Sequence, residues 1–279
     1  MNMRILNSLV LLLLVVFAIS CEENEITYDT RPIDGKAEFQ LHYFVPVTAV
    51  AANNIYKIEI NGTLFNNETA RLLTYNAVPS GGVGLFYAVD PGTVNIKLYQ
   101  GVDELLVYDQ NVQLSTGKQN VFVHDFNQPP VVIDNEYPYP SNVTEDTDSA
   151  TWIKFYNFLY ESAGVPTTLR LQYQYLDPYT DEPINLGPPV RFGEATGWQE
   201  VTVIKDELNS SGSTRIDYRI KVVDENGNIT GDLQVANSNG VMGNYADWWT
   251  GFIGRKAHHV FGGIRTTTPV SAVRQFYAH

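Results

Sequence analysis

One thiol is available to this chain. Cys21 closes an apolar run from Leu9 to Ala18 and the short step Ile19-Ser20, and Glu22 and Glu23 follow it directly. A thiol so placed can carry lipid, because each buried CH₂ contributes about 0.8 kcal/mol and two or three acyl chains hold where one does not. A second stretch with chemical potential is Tyr245-Ala246-Asp247-Trp248-Trp249-Thr250-Gly251-Phe252. Paired tryptophans beside Gly, Asp and Tyr can form a flat stacking platform for a sugar ring, and on a strand one of the two faces outward. The competing reading is that both fill a seam between sheets or domains. Tyr245, Trp248 and Trp249 are therefore the candidate ligand-binding residues.

The remaining polar clusters point to turns. His258 and His259 are adjacent, so on a strand they face opposite ways and cannot share one ion without a bulge. Asp224-Glu225-Asn226-Gly227-Asn228 has its glycine at position four, whereas an EF-hand loop needs it at six, with Glu at twelve. A hairpin turn fits it instead. The acidic runs Glu145–Asp148 and Asp177–Glu182 read as solvated loop charge that could hold calcium only loosely. There is no nucleophile elbow, metal-ligand pair or phosphate-cradling glycine loop. Scattered carboxylates could form a glycosidase pair, but the sequence brings no two together. The expectation is no catalytic residue, no metal and no cofactor.

The amino terminus gives an address. Residues 1–20 read as a signal peptide, with Arg4 in a short charged region and an apolar core too short to span a bilayer. Ala18-Ile19-Ser20-Cys21 resembles a bacterial lipobox, which implies a diacylglycerol thioether on Cys21 at the start of the mature chain. Glu22-Glu23-Asn24-Glu25 resembles the surface-export tag of Bacteroidetes lipoproteins. An outer-membrane lipoprotein facing outward is expected, and a periplasm-facing one is the alternative. The formal charge of −13 argues against nucleic acid and anionic headgroups as partners. With no cysteine beyond Cys21, stability must come from packing.

Seventeen Tyr, thirteen Phe and many Gly and Asn turns indicate β-structure, and no amphipathic helix of three or more turns follows the signal. Residues 21–34 form a polar tether, 35–127 a first sandwich, 128–148 a Pro-rich linker and 149–279 a second sandwich. Ala37–Phe44 alternates, so it reads as a strand with one buried face. Ile55–Ile60 alternates and stops at Asn61-Gly62, a strong hairpin signal. Leu72–Tyr75 and Val83–Val89 read as further strands, then Thr93–Tyr99 after Asp90-Pro91-Gly92. Val131–Ile133 could add an edge strand. Thr151–Phe158, Leu169–Leu176, Gln199–Ile204, Arg215–Val222, His259–Phe261 and Ala272–Tyr277 are the strands of the second half.

The two halves repeat in order. Each has an alternating aromatic strand, then a second alternating strand. A loop follows (Tyr75–Gly81 and Phe192–Gly197), and then a Gly-basic turn before a final aromatic strand (Gly117-Lys118 and Gly254-Arg255). With Ile58–Gly62 and Pro91-Gly92-Thr93, these motifs resemble a widespread family of tandem β-sandwich repeats of unknown function in Bacteroidetes lipoproteins. The second half departs from the pattern at Leu176-Asp177-Pro178, where the Asn-Gly turn is missing. The resemblance implies two immunoglobulin-like or transthyretin-like sandwiches and an envelope address, and it implies no reaction. Asp148-Ser149-Ala150 resembles the O-glycosylation tripeptide of the same bacteria and is read as lying in the linker, where a sugar transferase could reach it, which makes Ser149 a candidate modified residue.

The chain is thus expected to be a non-enzymatic surface binding or scaffold lipoprotein, joined to membrane through Cys21 and to a glycan or an envelope protein. A structural or adhesive fibre subunit and a carbohydrate-active enzyme are the alternatives.

Overall fold

The computed structural model describes residues 33–66, 68–141 and 148–278, and the expected signal, lipobox and most of the tether lie outside them. Residues 32–279 cluster as one compact unit. Among the described residues there is no α-helix, only strands and single 3-10 turns. In chain order the first half contains β1 (Ala37–Tyr43), β2 (Ile55–Ile60), β3 (Thr63–Asn66), β4 (Asn76–Val78), β5 (Tyr87–Val89), β6 (Gly92–Gln100), β7 (Leu105–Leu114), β8 (Gly117–Val123) and β9 (Val131–Asp134). The second contains β10 (Asp148–Ser162), β11 (Val165–Pro166), β12 (Arg170–Leu176), β13 (Pro183–Val190), β14 (Gln199–Ile204), β15 (Ser213–Val223), β16 (Ile229–Asp232), β17 (Gln234–Ala236), β18 (Met242–Asn244), β19 (Ala246–Phe252), β20 (Lys256–Ile264) and β21 (Ala272–Ala278).

Local chemistry explains many of these boundaries. Asn61 and Gly62 both adopt positive φ (51° and 75°), so β2 and β3 close through the turn that Asn-Gly favours. Asp224 accepts the backbone N–H groups of Asn226 and Asn228 at 2.9 and 2.8 Å, which folds the acidic loop into the β15–β16 turn. Leu72–Tyr75 is not a strand, because only Leu72 bridges to Ile55 and the pairing with β1 begins at Asn76. Of Val83–Val89, Val83 ends a 3-10 turn over Gly81–Val83 and only Tyr87–Val89 forms a strand, the short β5.

The two halves share one strand plan. In the first, β1 and β8 run parallel, β5 and β4 pair antiparallel with the other side of β1, and β9 extends β8. In the second, β10 and β20 run parallel, β14 pairs with the other side of β10, Ala195 bridges to Tyr156 where β4 would lie, and β21 extends β20. The facing sheets also correspond, as β3-β2-β6-β7 and as β13-β12-β15 with β19 on the far side of β15. The second half adds β16 and the β17–β18 hairpin.

Each sheet pair encloses its own core. Phe39, Leu41, Ile58, Ile96, Leu98 and Val121 pack in the first, and Phe155, Leu171, Tyr173, Ile220, Val201 and Phe261 in the second. A third core lies between the halves, where Phe44, Tyr75, Phe122, Tyr156, Phe158 and Phe276 meet. The sheets carrying the parallel pairs therefore pack back to back, and this unit is a four-layer stack. This corrects the one-faced reading of Ala37–Phe44: all seven residues of β1 are buried, with Phe39 and Leu41 turned to one core and His42 to the seam. β1 keeps the apolar-polar alternation of a half-exposed strand, but its polar side meets the second sheet pair instead of water.

A polar network crosses the seam. His42 Nε2 lies 3.2 Å from Asn120 Oδ1. Asn120 donates to Asn135 Oδ1 at 3.0 Å and to the Tyr156 hydroxyl at 3.1 Å, and that hydroxyl lies 2.8 Å from His258 Nδ1. Lys154, fully buried, donates to Asp134 O at 2.6 Å and to Glu136 at 2.5 Å. The Pro-rich segment is thus built into the seam, with β9 as the edge strand its sequence suggests. Ser149 is not in a linker: it is the second residue of β10, opposite Val203 and 7% exposed, so its hydroxyl is covered in the folded chain.

Steric fit fixes the seam. A Cβ on Gly262 would approach Phe44 Cδ1 to 2.7 Å. Gly262→Val is expected to lower stability by about 1–3 kcal/mol through overpacking. Urea unfolding should still show one transition for the whole stack. A transition that splits into two at wild-type stability for one half would mean the halves do not depend on this contact.

Candidate functional site

β19 decides where the tryptophans go. Its alternation sends Trp248 to solvent, 51% exposed, and Trp249 into the second core, 7% exposed. The pair therefore splits as period two requires, and the third core between the halves is filled by other rings. Tyr245, just before β19, is also buried. Its hydroxyl lies 3.1 Å from the Tyr218 hydroxyl and accepts the Val273 N–H at 3.1 Å. Tyr245 thus ties the two sheets together, and Trp248 alone of the three offers an open ring.

Around Trp248 the surface is shaped by β15. Arg215, Asp217 and Arg219 point outward there, while Ile216, Tyr218 and Ile220 point in. The Arg215 guanidinium lies 5.0 Å from the Trp248 ring and bonds Asp217 Oδ1 at 2.7 Å. A concavity of about 270 Å³ is lined by these residues with Leu176, Asp247 and Trp248. On the other side of β19, between it and β21, a second opening of about 470 Å³ reaches inward. It lies where the two sheets part, because β19 and β21 are the edges of facing sheets.

The inner wall of this second opening is polar. His259 and Gln275 are directly opposed on β20 and β21. His259 Nδ1 lies 3.1 Å from the Tyr173 hydroxyl, and the Trp249 ring meets the imidazole edge-on at 4.8 Å. Burial pushes the His259 pKa down to about 3, so the ring is neutral. Burial also raises the Tyr173 and Tyr218 hydroxyls, whose rings stack at 4.7 Å, above the ordinary tyrosine range. His258 faces the opposite way, into the seam, so the adjacent histidines do point to opposite faces as a strand dictates. Among the described residues no group of three or more His, Cys, Asp or Glu could hold a metal ion.

Sequence reasoning passed over His259 and Gln275 as a pair, because their opposition across β20–β21 depends on register. Inward polar residues on both of the last two strands were the only local sign.

No protein-family model matches the chain, and no curated protein does. Among the solved structures it matches is "The Bacillus anthracis TIE protein", over 82% of this chain at 7% identity and a TM-score of 0.22. The match covers 34% of that chain, so this protein spans about a third of its length, a likeness too remote to bear on function.

Two expectations follow from the split of the tryptophans and from the neutral histidines. Trp249→Ala should cost about 3–5 kcal/mol as a core truncation, whereas Trp248→Ala should change the free energy of urea unfolding by less than about 0.5 kcal/mol. Equal losses in the two variants would contradict the placement. His42, also held down to about 3 by burial, and His258, which burial pushes well below the ordinary histidine range, stay neutral alongside His259. The unfolded chain protonates these residues below about pH 6.5 and the folded chain does not. Stability is therefore complete above that pH and falls as pH drops toward 3, by up to about 1.4 kcal/mol per pH unit per histidine. A urea midpoint unchanged between pH 7.5 and 5.5 would show that the fold admits the protons.

Proposed function

We propose that the protein is a non-enzymatic cell-envelope lipoprotein that binds carbohydrate through the outer face of its second sheet pair. It is held to the outer membrane by lipid on Cys21 and displayed at the cell surface. The observation that carries the binding function is Trp248, half exposed on a rigid strand with Arg215, Asp217 and Asp247 around it. An exposed indole provides a flat apolar face for the C–H side of a pyranose ring, and flanking carboxylates and a guanidinium can bond its hydroxyls in fixed directions. Mounting that ring on a stack buried through its centre lowers the ordering cost of binding. The anchor rests on the apolar run, the Cys21 step and the acidic residues after it, which also support a kinship with Bacteroidetes surface lipoproteins.

The test is a glycan array probed with the detergent-purified full chain, with Trp248→Ala beside it. At least one glycan class should bind, and the variant should lose about tenfold or more in affinity, on the order of 1.4 kcal/mol, for the lost stacking. Mass spectrometry of the same preparation should find Cys21 acylated at the amino terminus. No bound glycan, or binding untouched by Trp248→Ala, would remove this reading, and an unprocessed amino terminus would remove the address.

A further inference from the structure

The opening between β19 and β21 has an unusual floor. Gln275 Nε2 and His259 Nε2 are buried and have no hydrogen-bond partner, and His259 is fully buried. With the Tyr173 hydroxyl donating to His259 Nδ1, the imidazole proton sits on Nε2. Two uncharged donors, Gln275 Nε2 and His259 Nε2, therefore line one end of a single opening. Buried donors without acceptors cost about as much as lost hydrogen bonds, and a fold keeps few of them.

The chemistry of an occupant follows from this set. It must bring an acceptor and no extra proton, which favours a carbonyl oxygen over a hydroxyl. The histidine is neutral and Asp247 stands at the rim, so nothing on the floor balances a carboxylate. Val273 and Phe252 supply apolar wall for a methyl group, and Trp248 lines the entrance, where a ring would stack. The volume of about 470 Å³ lies within the ~300–1,000 Å³ range of small-ligand sites. We propose that this opening is a binding site for an N-acetylated hexosamine, with the acetamido carbonyl reaching Gln275 and His259 and the sugar ring lying toward Trp248. The proposal rests on the carbohydrate-binding reading above and adds the sugar class and the residues that select it.

The experiment is saturation-transfer NMR and calorimetry on the detergent-purified full chain, with N-acetylglucosamine, its β-1,4 trimer and glucose as probes. The N-acetyl methyl protons should show the strongest transfer, and glucose should bind at least tenfold more weakly. Gln275→Leu should weaken the N-acetylated probes at least tenfold while leaving thermal stability unchanged or raised, because an unsatisfied donor is replaced by an apolar group of similar size. Gln275→Glu should weaken them too, since it offers no donor. If glucose and N-acetylglucosamine bind alike, or Gln275→Leu binds normally, the opening is not this site, even where a glycan array still shows Trp248-dependent binding. Preferential capture of an acetylated peptide over the sugars would also overturn it. Absence of any glycan on the array would instead remove the carbohydrate reading itself.

Discussion

The structure depends on burying both faces of two sheets. β1 and β8 in one half and β10 and β20 in the other are covered on one side by their own partner sheet and on the other by each other. Burying a Phe side chain contributes about 1.5–3 kcal/mol, so Phe44, Phe122, Phe158 and Phe276 alone give the seam a large apolar term. That gain obliges every polar group on the same faces to find a partner inside the protein. The chain from His42 through Asn120 and Tyr156 to His258 meets part of that demand, leaving His42 Nδ1 and His258 Nε2 without partners, and Lys154 meets it by reaching Asp134 and Glu136. Residues 131–136 are therefore a structural part of the seam between the two sheet pairs.

What could be read in the sequence was local, and what could not depended on distant partners. Ile55–Ile60 with Asn61-Gly62 specified a hairpin because the alternation and both positive-φ turn positions lie within eight residues. The Gly-basic turns and the loops at Tyr75 and Phe192 marked equivalent places, which the shared pairing of β1 with β8 and β10 with β20 makes concrete. That one of the paired tryptophans turns outward, and that His258 and His259 point opposite ways, followed from period two, whereas which tryptophan is exposed and that neither fills the seam needed the packing of β19. Ala37–Tyr43 alternates apolar with Glu38, Gln40 and His42, and a residue type cannot say that its polar side meets a second sheet instead of water. Ser149 looked like linker for the same reason, since only pairing with Val203 shows it to be strand. The floor of the β19–β21 opening was hidden twice over. It needs the register that opposes His259 to Gln275, and the sheet packing that brings Trp249 against them.

Internal duplication offers a control on that floor. The first half has the same strands at the same place: β7 corresponds to β19, β8 to β20 and β9 to β21. There the space between the sheets is filled by Val112, Leu114, Val121 and Val123, with Val132 packed against them. One architecture thus folds with an aliphatic filling at a place where its second copy sets indole, imidazole and amide groups around an opening. Stability does not require those polar groups, because the fold closes without them a few strands away. Buried polar atoms without partners also occur in the seam, His42 Nδ1 and His258 Nε2 among them, so what sets the β19–β21 floor apart is that its unpartnered groups line an opening instead of a closed core.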